Sequence, residues 1–168
     1  MKRYLSILIL IIMLLLTGVA FAENAEKTKL IIKDRLITIK WQRLVLKGET
    51  YPRCGSTEKE VEKAFTLIKC SLSPLNIEVK LEKKEISASK FSKTPLESNK
   101  IWVNGLLLEK NVDGKTCQSK CEGVCGPEDC RAIEVDGKVY ETIPANFIIK
   151  ACLIEAARIV GSENEKYQ

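Results

Sequence analysis

The side chains of this sequence with the most distinctive chemistry are its seven cysteines, five of which fall in two places. Cys54 lies in a turn rich in glycine and proline, and four more cysteines follow at the spacing C-x3-C-x3-C-x4-C: Cys117, Cys121, Cys125 and Cys130. The chain has no histidine, which excludes Ser-His and Cys-His catalysis and leaves thiolates as the main ligands of any soft-metal site. The residue types therefore point to sulfur chemistry.

Cys54 is the candidate catalytic thiol. A helix is predicted to follow it, and the N-terminus of a helix favours the thiolate over the thiol. The neighbouring Arg53 adds a positive charge in support. We expect the helix to run from Glu58 with Thr57 as its N-cap, because Thr57 and Glu60 have the form of a capping box, and this leaves Cys54 outside the helix. The alternative is a Cys54 tied in a structural disulfide.

The four later cysteines lie in a polar, glycine-rich stretch that cannot bury a conventional core. Oxidised, they can form two disulfides in three pairings. Reduced, their thiolates can hold a tetrahedral zinc or copper(I) ion, although the spacing matches neither a zinc ribbon nor a ferredoxin run. A further reading links the two regions, because one of these cysteines can resolve a mixed disulfide on Cys54.

The remaining cysteines are expected to be less informative. Cys70 falls opposite Val61 on the helical wheel and is predicted to be exposed. Cys152 falls in an apolar helix, where it is predicted to act as a small buried hydrophobe. Because the number of cysteines is odd, at least one thiol is left out of any intramolecular pairing.

A strand, a helix and a second strand are predicted to position Cys54. Apolar and polar residues alternate around Trp41, which is the period of a strand. Apolar residues then recur at helical spacing from Val61 to Leu72. A second alternating stretch covers residues 77–81, and a crossover of this kind predicts a parallel βαβ unit. The second strand has a polar face, which is typical of an edge position.

Two hairpins and a last helix complete the predicted domain. Asn-Gly at 104–105 and Asp-Gly at 136–137 are favoured two-residue hairpin turns. Pro144 suits the first position of a helix that is expected to run to about Val160 and to end at Gly161. This helix is apolar almost all round, so we expect it to be well buried.

The first 22 residues have the form of a signal peptide. A basic start and an apolar run lead to an A-x-A cleavage site at Ala20 and Ala22. We expect export to the periplasm or the cell exterior, where cysteines form disulfides; the alternative is an uncleaved membrane anchor. The formal net charge is +5, but acidic and basic residues are interspersed, so nucleic acid is not an expected partner.

Five segments of the mature chain form a recognisable set: Gly48–Thr50, Arg53–Gly55, Ser98–Gly105, Cys130–Gly137 and Tyr140–Pro144. Taken together they resemble the thioredoxin-like family catalogued as domain of unknown function 2703. The resemblance extends from about Leu36 to Val160. It implies a thioredoxin-like α/β fold and brings no established activity.

The sequence departs from this resemblance at two points. The family usually carries a C-x-x-C in the first turn, and its first cysteine falls here on Tyr51, which leaves Tyr51 as a supporting neighbour of Cys54. Thioredoxins and glutaredoxins also carry a cis-proline before the strand that faces the active site, where this chain has Ser98 and Asn99. A disulfide within the first turn is therefore not available, which favours the non-enzymatic alternatives.

The expected fold is an α/β, thioredoxin-like mixed sheet flanked by helices, with a cysteine-rich loop insertion and a C-terminal hairpin plus helix. Its expected divisions are a signal peptide (1–22), a lead or extra strand (23–35), the domain (36–161, with the insertion at 109–130) and a polar tail (162–168). The expected function is thiol-disulfide exchange through Cys54 with a protein thiol or disulfide. The alternatives are a soft-metal-binding protein and a partner-binding domain with structural disulfides, and whether the protein is an enzyme is left open.

Overall fold

The computed structural model describes residues 35–120 and 129–164, and the compact unit that contains all of them except Arg35 begins at Leu36. The predicted signal peptide, nearly all of the predicted lead, and the cysteines at 121 and 125 lie outside the described residues. Within the described ranges, no helix is both long and apolar enough to span a membrane.

A βαβ unit with parallel strands forms the centre of the fold, as predicted. Strand β1 (Leu36–Leu46) leads through a short strand β2 (Glu49–Thr50) into helix α1 (Pro52–Leu72), and strand β3 (Glu78–Ile86) returns parallel to β1. Ion pairs cross the unit, because Glu58 of α1 lies 2.7 Å from Arg43 of β1 and 2.8 Å from Lys83 of β3. Helix α1 is thereby attached to both strands by charge as well as by its apolar stripe.

Two further strands make this a mixed, five-stranded sheet. Strand β4 (Lys100–Val103) is antiparallel to β1, and β5 (Leu106–Leu107) is antiparallel to β4. The order is β2-β1-β4-β5, with β3 on β1. The turn between β4 and β5 has φ of 47° and 80° at Asn104 and Gly105, a left-handed pair that Asn-Gly adopts at little cost. The predicted α/β class is therefore confirmed.

The C-terminal half adds a second, three-stranded antiparallel sheet of order β6-β7-β8. The strands of this sheet are β6 (Lys115–Lys120), β7 (Asp129–Val135) and β8 (Lys138–Tyr140). Three helices accompany them in this half of the chain: α2 (Ala88–Lys93), α3 (Leu108–Asn111) and α4 (Ala145–Asn164). The hairpin predicted around 136–137 is β7-β8. The cysteine-rich insertion expected as a loop is, where described, mostly regular structure, because its polar residues alternate on β6 and pair with apolar β7.

The core covers both faces of β1. Ile37, Ile39 and Trp41 are buried on one face, and Gln42 and Leu44 are buried as well. Successive strand residues point to opposite faces, so both faces are covered near Trp41. The stripe predicted on α1 is buried at Val61, Ala64, Ile68 and Leu72.

Two predicted helix boundaries are wrong. Helix α1 begins at Pro52, not at Glu58 after a cap at Thr57, because proline suits the first helical position and Gly55 can donate to the carbonyl of Tyr51 at 2.8 Å. Helix α4 continues through Gly161 to Asn164. A glycine ends a helix when it adopts the left-handed conformation, and Gly161 is not among the glycines with positive φ.

Candidate functional site

Cys54 is the third residue of α1, inside the helix and not ahead of it. Tyr51 is the N-cap without a side-chain cap bond, and Arg53 occupies the second helical position. The Cys54 side chain is 3 % exposed and carries a thiol. The first-turn position places its sulfur where unsatisfied backbone N–H groups favour negative charge. Burial acts in the opposite direction on a thiolate.

Thr57 and Glu60 do not form the predicted capping box; their side chains bind the backbone of a distant segment instead. Thr57 is fully buried and its Oγ1 accepts a hydrogen bond from the backbone N–H of Ile143 at 3.2 Å. Glu60 Oε2 accepts from the N–H of Ala145 at 2.9 Å, at the first residue of α4. The two side chains therefore fasten the start of α4 to α1, one turn beyond Cys54.

A narrow crevice beside Cys54 brings the two cysteine regions together. Cys54 from α1 and Cys130 from β7 both line it, together with three apolar or aromatic side chains and three polar ones: Leu44, Tyr51, Phe91, Ser98, Asn99 and Arg131. The space between these side chains is too narrow to admit a water molecule. Cys54 and Cys130, 76 positions apart in sequence, thus line one narrow space.

Cys130 is in a different oxidation state from Cys54. Its sulfur is disulfide-bonded and 4 % exposed. The other described cysteines carry thiols. Cys117 is half-buried on β6, and the register places it opposite Ala132, diagonal to Cys130 on the same sheet face. Cys121 and Cys125 lie outside the described residues.

Asn99 stands where the resemblance led us to look for a cis-proline. No described peptide bond is cis. The Asn99 backbone has φ of 54°, its Oδ1 accepts from Trp41 Nε1 at 3.2 Å, and its Nδ2 donates to the carbonyl of Glu141 at 3.2 Å. The residue therefore connects the sheet core, the crevice and the segment that leads into α4. Sequence reasoning identified its position but not these contacts.

Arg131 is a buried cation in the wall of the crevice, and sequence reasoning missed it. Its guanidinium donates to the carbonyl of Leu96 at 3.1 Å, to Thr116 Oγ1 at 2.7 Å and to Glu109 Oε1. Arg131 and Glu109 are 3 % and 5 % exposed. Among the described residues, Arg131 Nε and Glu109 Oε2 are buried and have no hydrogen-bond partner. A charged residue between Cys130 and Ala132 in an apolar strand was the available signal.

The two other cysteines lie away from the crevice lining. Cys70 is exposed near the C-terminal end of α1, and Cys152 is fully buried in α4, as predicted for both. Burial raises the pKa of the Cys152 thiol to about 12, and the charge of Glu155 adds to the effect. Cys152 is therefore a packing residue with little nucleophilic capacity.

The described residues contain no group of three or more potential ligands that could hold a metal ion. The four-thiolate site expected from the sequence includes the cysteines at 121 and 125, which lie outside those residues. What the crevice does contain is a thiol and one sulfur of a disulfide, which are the two reactants of thiol-disulfide exchange.

Comparison with known proteins gives a family. A protein from Archaeoglobus fulgidus, described as uncharacterized, is 45 % identical over 112 residues, which is 67 % of this chain and 82 % of the archaeal protein. No solved structure matches. The model of a family described as domain of unknown function 2703 matches residues 37–152, from β1 to the middle of α4. The chain therefore belongs to the family catalogued as domain of unknown function 2703.

Proposed function

We propose that this protein is an exported, thioredoxin-like thiol-disulfide exchange protein in which Cys54 is the nucleophile and Cys130 replaces the missing partner at Tyr51. The observation that carries the proposal is the shared crevice, where a Cys54 thiol and a disulfide-bonded Cys130 are both buried. Because the crevice is too narrow for water, exchange between the two sulfurs proceeds there without competition from solvent.

The topology supports the thioredoxin-like part of the proposal. A central β1 has a parallel neighbour reached through α1, an antiparallel neighbour β4, and then β5 on the far side of β4. Thioredoxin-like proteins place a reactive cysteine at the start of the helix that follows the central strand, and Cys54 has this position. The signal-peptide pattern at Ala20 and Ala22 supports the exported part.

The proposed step moves a disulfide without a net change in oxidation. The Cys54 thiolate attacks the sulfur of Cys130, and a Cys54–Cys130 bond forms as the bond from Cys130 to its present partner breaks. The partner sulfur leaves as a thiolate and takes a proton from water. An external protein dithiol or disulfide then exchanges with the protein by the same chemistry, and the direction follows the relative reduction potentials.

The test is to trap the internal intermediate. In a variant with Cys121→Ser and Cys125→Ser, Cys130 has neither of these loop cysteines as a partner, and mild oxidation with oxidised glutathione should yield a Cys54–Cys130 disulfide by mass-spectrometric peptide mapping. Adding Cys54→Ser should abolish this product. Cys70→Ser, an exposed thiol on the same helix, should leave it unchanged.

Two results would contradict the proposal. One is a folded variant in which Cys70 reacts with glutathione while Cys54 and Cys130 stay unlinked. The other is a wild-type protein, purified without oxygen, that holds zinc or copper(I) on four reduced thiolates at Cys117, Cys121, Cys125 and Cys130. That second result would support the metal-binding alternative.

A further inference from the structure

The buried cation that shares the crevice with the two cysteines has one nitrogen that makes no hydrogen bond within the described residues. Arg131 uses both terminal nitrogens on oxygen acceptors, but its Nε–H is buried and without a partner. Leaving a buried donor without an acceptor lowers the stability of the folded protein. Apolar packing does not replace the missing hydrogen bond. The crevice also has no space for a water molecule that could accept a hydrogen bond from the donor.

Few groups that line the crevice are available to accept a hydrogen bond from Arg131 Nε. Asn99 already uses its oxygen on Trp41 and its nitrogen on Glu141. Ser98 donates its hydroxyl to the carbonyl of Pro95 at 2.8 Å. Three of the crevice-lining residues can become anions, Cys54, Cys130 and Tyr51. Thiol-disulfide exchange forms thiolates at the two cysteines near neutral pH, whereas a tyrosine phenol ionises only near pH 10.

We infer that Arg131 stabilises the Cys54 thiolate that forms in the crevice, and that Glu109 limits this effect by neutralising part of the guanidinium charge. The inference rests on the proposed function and adds the residue that sets the reactivity of its nucleophile. A positive charge that faces a thiol favours the thiolate, and Arg131 and Cys54 line the same crevice. Glu109 holds the guanidinium in place through Oε1.

The experiment measures the rate at which Cys54 attacks a small neutral disulfide. A Cys130→Ser background keeps the adduct on Cys54, and 2-hydroxyethyl disulfide brings no charge of its own. Peptide mapping then gives separate rates for Cys54 and for exposed Cys70, which serves as the control within each sample.

Substitutions at the two charges should change the rate in opposite directions. Arg131→Met should slow Cys54 by about threefold to tenfold at neutral pH, because the fall in thiolate fraction outweighs the rise in intrinsic nucleophilicity. Arg131→Lys should restore most of the rate. Glu109→Gln should speed the reaction, because the guanidinium keeps its charge and loses its counter-ion. The Cys70 rate should not change.

The opposite signs separate electrostatics from structure. If Arg131 and Glu109 only supported the fold, both substitutions would loosen the crevice and change the Cys54 rate in the same direction, which would overturn the inference. If Arg131→Met does not fold, the pair Arg131→Met with Glu109→Leu replaces the buried ion pair by apolar side chains, a change that is often tolerated, and should show the same slowing. An unchanged rate in that folded pair would also overturn it.

Failure of the proposed function gives a different result. If Cys54 and Cys130 do not crosslink but the rates still move in opposite directions, the exchange pathway is wrong and the role of Arg131 remains. If they crosslink and the rates do not move, the exchange pathway remains and the role of Arg131 is wrong.

Discussion

At the residue scale, position decides what each thiol can do. Cys54 and Cys152 are equally hidden from solvent, at 3 % and 0 % exposure. Cys54 lies in the first turn of α1, where free N–H groups favour an anion. Cys152 lies in the middle of α4, where burial raises its pKa to about 12 with help from Glu155. The two thiols should therefore differ in reactivity although both are buried.

This difference predicts selective alkylation. With iodoacetamide at about pH 8, Cys152 should remain unmodified in the folded protein, because almost none of it is thiolate below its raised pKa and the reagent cannot reach it. Cys70, which is exposed, should react fully. Mass-spectrometric mapping gives both rates, and a sample unfolded in urea should lose the difference. Labelling of Cys152 as fast as Cys70 in the native state would contradict the assignment.

The sequence singled out Cys54 and Cys130, the two cysteines that line the candidate site, but not the groups that surround them. Cysteine is rare enough, and its chemistry narrow enough, that a lack of histidine and a four-cysteine spacing are informative without a structure. Asn99 and Arg131 are different, because their roles come from contacts with Trp41, 58 positions away, and Glu109, 22 positions away. Nothing in the local spacing of either residue records those contacts.

At the element scale, the start of α1 shows how a correct motif can have another role. The pattern Thr57-Glu58-Lys59-Glu60 has capping-box form, but Pro52 begins the helix one turn earlier and leaves Thr57 and Glu60 inside it. Their side chains then serve the backbone N–H groups at the start of α4. The local prediction of strands, helices and hairpin turns largely succeeded, whereas long-range partners decided these two bonds.

Thr57→Val should therefore destabilise the protein. The substitution keeps the shape of the side chain but leaves the buried N–H of Ile143 without its acceptor, a loss of about 1–3 kcal/mol in the free energy of unfolding. Urea titration measures it. Thr66→Val is the matched control on the same helix, because Thr66 is exposed and its hydroxyl donates to Glu62 within the helix. Equal effects at the two positions would show that the bond to Ile143 does not contribute.

Two glycines should respond to alanine in opposite ways. A Cβ added to Gly114, just before β6, would lie 2.9 Å from the carbonyl oxygen of Glu134 and 2.9 Å from Val135 Cγ2, so Gly114→Ala should cost about 1–3 kcal/mol by overpacking. Gly161 lies within α4 with nothing near its Cβ, so Gly161→Ala should stabilise by up to about 1 kcal/mol. Thermal unfolding measures both, and a stable Gly114→Ala would contradict the described approach of β6 to β7.

At the scale of the whole molecule, buried polar bonds connect the two sheets at the crevice. Arg131 of β7 donates to the carbonyl of Leu96, in the 3-10 turn Pro95–Glu97, and that turn accepts a 2.6 Å bond from Gln42 of β1. The second sheet, the turn and the first sheet thus form one hydrogen-bonded series beside Cys54 and Cys130. The α/β class was predictable because strand and helix periods are local; the separate second sheet was not, because β6 has no apolar alternation of its own.

The connection through this turn predicts a loss of stability in acid. Hydrogen bonds from Lys100, and then from Gln42, hold the pKa of Glu97 below its usual value of 4.5 despite some burial. Because the folded pKa is lowered, the stabilising contribution is complete above 4.5 and is lost as the pH falls through the folded value. Glu97→Gln should therefore lower the free energy of unfolding at about pH 7 by less than about 1 kcal/mol, since the side chain is a third exposed, and should have no such effect at about pH 2. Urea titrations at both pH values measure the free energy of unfolding. Glu82→Gln is the control, because Glu82 is an exposed carboxylate of β3. If Glu97→Gln still lowered the free energy of unfolding in acid, the carboxylate charge would not be what holds the turn to β1.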